Sequence, residues 1–312
     1  MTNLHRSIGA SAVIPLAAVA LALIFPNQQA FLAQIAITAL VVLSLDLVVG
    51  FAGLATLGHA AMYGAGAYGA ALYALHVWAE SLTGLIVGGL AGATIAFLSA
   101  LMLMRAHGLT FLMMTVAITQ ILYEIVNKSR AVTGGDDGLY GIVMKPLLGV
   151  FEFDFYGRLA FWYAAVVLWL VFLLLRHIVA SPFGLTVRAV RDDGDRVATL
   201  GGNIFGHRVA LYTLSGAIAG LAGALSAQTV QVVGLHSLSV TFSADILVML
   251  VMGGAGRLWG GLLGALVFMM IHHYAAEIDP VGKKVVTSAG KAVDYDYLIV
   301  ATGIKLDYDA IE

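Results

Sequence analysis

The sequence contains no cysteine, and only 11% of its 312 residues are charged. Without cysteine the chain cannot form a disulfide, a thiolate metal site or a cysteine nucleophile. An ordinary soluble domain carries about 25% charged residues, whereas 61% of this chain is hydrophobic. Such a composition cannot supply a water-soluble surface. The net charge of -2 also gives no sign of a nucleic-acid partner.

Long apolar runs recur from residue 7 to residue 274, and each can cross a hydrocarbon core about 30 Å thick. Inside lipid the backbone must pair internally, and barrels would show short alternating segments instead of long runs. We therefore predict an all-α integral membrane protein, a polytopic helical bundle of about eight or nine transmembrane segments with a short non-membrane C-terminal tail. The predicted spans are 7–25, 30–50, 53–75, 82–104, 109–127, 159–175, 209–233, 242–255 and 258–274.

The eighth predicted span, 242–255, is short and ends in the sequence GGAG at 253–256. This pattern favours a broken or re-entrant helix that is buried among neighbouring helices. The number of crossings therefore stays open between eight and nine.

Loop charges predict the orientation, because Lys and Arg in short loops favour the cytoplasm. The loop between the spans 159–175 and 209–233 is rich in arginine and is predicted to be cytoplasmic. The chain start with Arg6 and the turn 105–108 fall on the same side, whereas the charge-balanced loop 128–158 falls outside.

Pairs of glycines four residues apart occur in several apolar runs of this glycine-rich chain. Such spacing lets two membrane helices approach closely. We therefore predict helix-packing roles for Gly88, Gly92, Gly216, Gly220, Gly260 and Gly264.

Polar side chains inside predicted spans are costly in lipid, so they are candidates for a translocation pathway. The candidates are Asp46, His59, Gln120 and Asp245. His59 and Gln120 have an alternative role, in which they only tie helices together through hydrogen bonds. Asp46, Glu124 and Asp245 also suggest an alternative function, that of a secondary transporter driven by ions.

Four stretches of the chain follow one another in the order found in a known family. The first is GFAGLATLGHAA at 50–61 with GAGAY at 64–68, and the second is TGG at 133–135 with DGL at 137–139. The third begins with the charged segment RAVRDD at 188–193, continues as VATLG at 197–201 and ends with LSGAIAGLAGAL at 214–225. The fourth is GGAG at 253–256 with Trp259 and Gly260. Together they resemble the branched-chain amino-acid ABC transporter permeases, the Liv-type permease family.

This resemblance implies a cytoplasmic coupling segment, 186–203, which fits a groove on an ATPase subunit. The residues it assigns to coupling are Arg188, Ala189, Arg191, Asp192, Asp193, Ala198, Leu200 and Gly201. Gly194 interrupts the helical pattern and Gly202 departs from the family's aliphatic residue. Each glycine lowers helix propensity by about 1 kcal/mol.

The resemblance further implies a transport subunit, not an enzyme, in a bacterial inner (plasma) membrane. No Gly-x-x-x-x-Gly-Lys-Ser/Thr phosphate loop occurs in the sequence, so ATP must be hydrolysed by separate ABC ATPase subunits. The other implied partners are a second homologous permease subunit, a periplasmic substrate-binding protein and membrane lipid. Branched-chain or related small amino acids are the expected substrates, and urea or short amides are the alternative.

The composition changes after Pro280, where lysines alternate with acidic residues. We predict a membrane permease domain over 1–276 and a soluble tail over 277–312, with a hairpin of strands at 285–287 and 297–300. The sequence YDYLIVATG at 295–303 is similar to a segment of FAD-dependent pyridine nucleotide-disulfide oxidoreductases, so the tail is predicted to be foreign.

A membrane-bound flavin oxidoreductase is the alternative from another functional class. It is suggested by this tail and by GAGAYG at 64–69, which formally matches a dinucleotide fingerprint. That stretch lies within an apolar span, where helix packing is the favoured interpretation. We predict no cofactor, metal site or catalytic residue.

Overall fold

The computed structural model describes residues 13–25, 28–146, 157–279, 284–287 and 292–294. Helices dominate this part of the chain, as the apolar runs predicted. Their bounds are α1 Val13–Ile24, α2 Gln29–Asp46, α3 His59–His76, α4 Ser81–Leu103, α5 Gly108–Lys128, α6 Arg130–Thr133, α7 Arg158–Ala180, α8 Pro182–Asp192, α9 Gly194–Thr199, α10 Ile204–Val230, α11 Val240–Gly253 and α12 Leu258–Tyr274.

Three short elements interrupt this order. Helix α2 continues directly as a π-helix, Leu47–Phe51, and two 3-10 turns occupy Gly135–Asp137 and Leu235–Leu238. Single π-turns are rare and often occur at functional positions. This π-helix precedes a non-helical stretch, 53–58, which leads into α3.

Each predicted span overlaps a helix, although the number of crossings is not confirmed. Within the described residues, five helices are long and apolar enough to cross a membrane. The number of candidate spans rises to six if α11 and α12 together form one broken span. Residues 7–12 of the first predicted span lie outside the described residues. The five qualifying segments are Gln29–Phe51, Ser81–Leu103, Gly108–Lys128, Arg158–Ala180 and Ile204–Val230.

The predicted break after the short eighth span is confirmed. The chain turns by 116° between α11 and α12, and Gly254 and Gly256 in this turn have φ values of +92° and +83°. A side chain would be strained at both positions. The two helices pack closely, since a Cβ atom at Gly260 would meet the carbonyl of Gly253 and one at Gly264 would meet that of Met249.

Helix α10 lies at the centre of the bundle and packs against α3 and α4. A Cβ atom at Gly92 would meet the carbonyl of Gly216, and one at Gly220 would meet the carbonyl of Gly88. Gly66 of α3 lies against Gly220 in the same way. Three backbones therefore approach one another at a distance that only glycine allows, which maximises their van der Waals contact.

The loops separate to the two ends of the bundle. At one end, Leu139 and Val233 form an antiparallel bridge, and the ammonium of Lys145 lies 4.1 Å from the ring centroid of Trp78. The π-helix, helix α8 and the turn between α11 and α12 meet at the other end. The loop predicted to be outside is thus separated from the segment predicted to be cytoplasmic.

The tail carries three short antiparallel strands, β1 Ala275–Asp279, β2 Lys284–Thr287 and β3 Ala292–Asp294, in the order β1-β2-β3. The predicted strand at 285–287 is present, but the pairing predicted for it is wrong. It pairs with β3, where Val285 opposes Val293, and on its other side with β1. The predicted partner strand at 297–300 lies outside the described residues. The all-α prediction therefore applies to the membrane part.

Candidate coupling junction

The predicted coupling segment folds as two helices, and each begins at a side-chain cap. Ser181 accepts a hydrogen bond from the backbone N–H of Gly184 and Pro182 occupies the first turn, both typical of a helix start. The carboxylate of Asp193 accepts from the N–H of Arg196 at 3.1 Å and begins α9. The helix is therefore interrupted beside Gly194, where the sequence placed the break.

Five of the eight residues assigned to coupling form two groups. Arg188 and Arg191, on α8, reach toward the membrane bundle. Ala198, Leu200 and Gly201 are exposed on the side away from the bundle, and 87% of the Leu200 residue is exposed. One group faces the protein's own interior and the other presents a surface.

Arg191 connects α8 to the π-helix. Its Nη1 donates a hydrogen bond to the carbonyl oxygen of Gly50 at 2.8 Å, while its Nε donates to Asp192 at 3.0 Å. The guanidinium of Arg188 lies 4.9 Å from the ring centroid of Phe51, which is a cation–π contact. Both arginines therefore hold the last turn of the π-helix.

Gly50 in turn lies against the break between α11 and α12. A Cβ atom at Gly50 would overlap both the carboxylate of Asp46 and the backbone nitrogen of Gly256. The fully buried Asp46 accepts a hydrogen bond from the N–H of Gly256 at 2.6 Å. We define Asp46, Gly50, Arg191 and Gly256 as the coupling junction. It links the charged segment to the turn of the broken helix pair.

Gly53 leaves space for the side chain of Arg191. It has a φ of +70°, and a Cβ atom there would lie 2.7 Å from Cγ of Arg191. The sequence predicts functional roles for Asp46 and Arg191 but none for Gly50 and Gly53, and it predicts Gly256 only as part of the break after the eighth span. The signal for Gly50 and Gly53 is the GFAG motif, and that for Gly256 is the GGAG motif.

Threonine side chains supply hydrogen-bond partners to the backbone of the non-helical stretch 53–58, which follows the junction. The N–H of Leu57 donates to Oγ1 of Thr115 at 3.2 Å, and Thr119 donates to the carbonyl of Leu57 at 3.4 Å. Thr56 accepts from the N–H of Gly58 at 3.0 Å. Irregular backbone at membrane depth is tolerated where protein groups satisfy it in this way.

His59 begins α3 and is tied to two other helices. Its Nε2 lies 2.9 Å from the hydroxyl of Ser215, and that hydroxyl donates to the carbonyl of Ser44 at 2.5 Å. Ser243 of α11 accepts from the N–H of Ala60 at 2.9 Å. His59 is thus part of a buried network that joins α2, α3 and α10. A pathway role for it stays a prediction.

Gln120 and Asp245 lie apart from the junction. Gln120 is on the exposed face of α5, and Asp245 is half-buried on α11, where it interacts electrostatically with His236 and His272. Their assignment to the translocation pathway also stays a prediction. Within the described ranges, no three His, Asp or Glu side chains come close enough to hold a metal ion.

Comparison with known proteins identifies sequence relatives along most of the chain. The profile of a family described as "Branched-chain amino acid transport system / permease component" matches residues 27–299, which extends past the predicted domain boundary at 276. The high-affinity branched-chain amino acid transport system permease protein LivM of Escherichia coli K12 is 28% identical, over 73% of this chain and 59% of the relative. LivM of Salmonella typhimurium gives the same values.

A third relative comes from another organism. The probable branched-chain amino acid transport permease protein LivM of Methanocaldococcus jannaschii is 27% identical, over 60% of this chain and 52% of the relative. The chain thus spans between half and three fifths of the length of these curated relatives. No solved structure gives a significant match.

Proposed function

The chain belongs to the family of branched-chain amino acid transport permease components, and we propose that it is the membrane-spanning subunit of a binding-protein-dependent ABC importer. It is a multi-pass protein of the inner (plasma) membrane. In this proposal it moves branched-chain or related small amino acids into a bacterial cytoplasm, and partner subunits hydrolyse the ATP.

The observation that carries the proposal is the hydrogen bond from Arg191 to the carbonyl oxygen of Gly50. A transporter driven by a separate ATPase needs a rigid connection from its docking surface to a part of the bundle that can rearrange. Arg191 lies on the docking segment, and Gly50 lies against Asp46 and the Gly256 turn. Displacement of α8 would therefore act directly on the broken helix pair.

The docking surface is α9 with the turn that follows it. All six residues of α9 are exposed or half-buried, and Leu200 projects beyond them. An exposed leucine beside charged residues is typical of a small interface whose apolar centre is surrounded by a polar rim. In the proposal this surface enters a groove of one ATPase subunit.

The remaining partners are a second homologous permease, a periplasmic substrate-binding protein and the surrounding lipid. The relatives are named as permease proteins of a branched-chain amino acid transport system, which supports the substrate class. The junction lies at one end of the bundle and the Leu139–Val233 bridge at the other. In the proposal the first end is cytoplasmic and the second receives the binding protein.

Transport by the reconstituted complex tests the proposal. The chain would be coexpressed with its candidate ATPase subunits and second permease, placed in proteoliposomes with the binding protein, and supplied with labelled leucine or urea. We expect leucine uptake that requires ATP and the ATPase subunits. Uptake without ATP would instead identify an ion-driven transporter, and ATP-dependent uptake of urea alone would change the substrate class.

A further inference from the structure

A pocket of about 190 Å³ lies under the loop 231–239, away from the coupling junction. Its walls come from α3, α10, the loop and the first turn of α11. Drug-sized ligands occupy pockets of about 300–1,000 Å³, so this one has room for a single small solute. The residues that matter for its chemistry are Tyr63, Ser226, Val233, His236, Ser237 and Phe242.

The loop that covers the pocket is held in place on both sides. Val233 exchanges two backbone hydrogen bonds with Leu139, at 2.9 and 3.0 Å. On the opposite side Leu238 is fully buried against Gly64, where any side chain would overlap it. The pocket is therefore preformed, as most small-molecule sites are.

One wall of the pocket is apolar and aromatic. The ring centroids of Tyr63 and Phe242 are 4.9 Å apart in a tilted arrangement. The centroid of the His236 imidazole is 5.8 Å from that of Phe242. Ala67 and Val233 extend this wall. Such a surface favours a ligand with an aliphatic side chain, since burying it removes apolar area from water.

The other groups of the pocket are polar. Tyr63 and Ser226 each bring a hydroxyl-bearing side chain to the lining, together with His236 and Ser237 from the loop. Asp245 interacts electrostatically with His236 from the next turn of α11. Hydroxyl and imidazole groups can both donate and accept hydrogen bonds, which suits a head group that carries both an ammonium and a carboxylate.

We propose that this pocket is a binding station for one aliphatic α-amino acid on its way into the bundle. The inference rests on the proposed function and adds to it the place where substrate first contacts this chain. The aliphatic side chain would lie against Phe242 and Val233, and the zwitterionic head group would face the polar groups of the lining, which are His236, Ser237, Tyr63 and Ser226. Urea would leave the apolar wall unfilled.

The absence of native cysteine allows a direct test by site-specific labelling. Ser237→Cys would be introduced into the reconstituted transporter and labelled with a water-soluble fluorescent maleimide, and the chain would be resolved from its partners on a gel. Protection follows mass action, as 1 + [L]/Kd. L-leucine at about ten times its dissociation constant, found by titration, should slow labelling about tenfold, whereas urea should not.

Ser129→Cys is the matched control. Ser129 lies at the end of α5, on the same side of the bundle as the pocket, and among the described residues its hydroxyl bonds only to the carbonyl of Ile125 in α5. Its labelling rate should be unchanged by leucine. Equal protection of both cysteines would show a global change in the chain and would overturn the binding station.

Leucine uptake measured on the same preparations separates the two proposals. If the Ser237→Cys complex imports leucine with ATP but leucine gives no protection, the binding station is wrong and the proposed function stands. If leucine protects but is not imported, the pocket is supported and the importer is wrong. Protection by urea instead of leucine would overturn the substrate class assigned to the pocket.

Discussion

Arg191 donates a hydrogen bond to the carbonyl oxygen of Gly50 at 2.8 Å, across 141 positions of sequence. Gly50 belongs to the π-helix, and it is also in contact with the carboxylate of Asp46 and the backbone of Gly256. An arginine side chain, a backbone carbonyl and a helix break are thus connected by direct contact. Motion at either end must be accommodated at the other, because packed interfaces rearrange between discrete states and do not deform continuously.

Replacing Arg191 by alanine should reduce transport without releasing the ATPase. A hydrogen bond to a charged group contributes about 1.5–3 kcal/mol, so its loss should lower ATP-dependent leucine uptake about tenfold or more. The exposed surface of α9 is left unchanged. Uptake and copurification of the ATPase subunits would both be measured. Arg105→Ala is the control, since this exposed arginine lies in the turn 105–108, outside both α8 and α9. Equal loss of uptake in both variants would contradict the role of Arg191.

Gly50→Ala should abolish transport because the junction has no space for a methyl group. A Cβ atom at this position would overlap Asp46 and the backbone nitrogen of Gly256, so the π-helix and the turn between α11 and α12 must move apart. Gly194→Ala serves as the control, since a Cβ atom there would be 3.8 Å from Ile204, an ordinary contact. Both variants would be compared for uptake and for thermal stability in detergent. Normal uptake by Gly50→Ala would show that the junction is not a rigid connection.

Leu200→Asp should prevent the ATPase subunits from copurifying. The Leu200 residue is 87% exposed, so its replacement leaves the fold intact, but an unpaired carboxylate at the centre of an interface is costly. Val77→Asp adds the same charge at an apolar position of the opposite end, where 69% of the residue is exposed. It should leave copurification unchanged. Retained copurification with Leu200→Asp would place the docking surface elsewhere.

The helical layout of the membrane part could be predicted because it depends on local apolar length. The break after α11 was also predictable, since GGAG cannot continue a helix and the two glycines adopt positive φ. The glycine pairs 88/92 and 216/220 pointed to close packing, although which helices meet depends on three-dimensional arrangement. The pairing of β2 with β3 was missed because short strands in the tail have little pattern to fix their register.

The coupling junction could be predicted only in part. Asp46 and Arg191 stand out as charged residues in an apolar chain, but nothing in their spacing indicates that both act on one glycine. The partner of Arg191 is a backbone carbonyl, and that of Asp46 is a backbone N–H. Backbone partners leave no trace in residue type, so a sequence cannot reveal them.

Gly220→Val should destabilise the bundle where three helices meet. A side chain at Gly220 would overlap the carbonyl of Gly88 and approach the backbone of Gly92 within 2.9 Å. Overpacking of this kind costs about 1–3 kcal/mol or more, which should lower the detergent melting temperature by several degrees. Gly194→Ala again provides the control. An unchanged melting temperature would mean that α4 and α10 can separate without cost.

Ser215→Ala tests the buried network around His59. The hydroxyl of Ser215 has one proton, which it donates to the carbonyl of Ser44, so its oxygen must accept from Nε2 of His59. Alanine removes both interactions and leaves a buried imidazole N–H without its acceptor. Together these losses should cost about 1–2 kcal/mol, measured as a lower midpoint of thermal unfolding in detergent.

Thr213→Ala, two residues earlier on α10, is the matched control for this last variant. Within the part of the chain that the structure describes, its hydroxyl bonds only to the carbonyl of Val209 in the same helix, at 2.8 Å, so its removal breaks no hydrogen bond between the described helices. A Ser215→Cys variant, which can still accept weakly, should fall between alanine and the unaltered chain. If Ser215→Ala and Thr213→Ala were equally stable, His59 would have another acceptor. In that case the network would not be what holds α3 against α2 and α10.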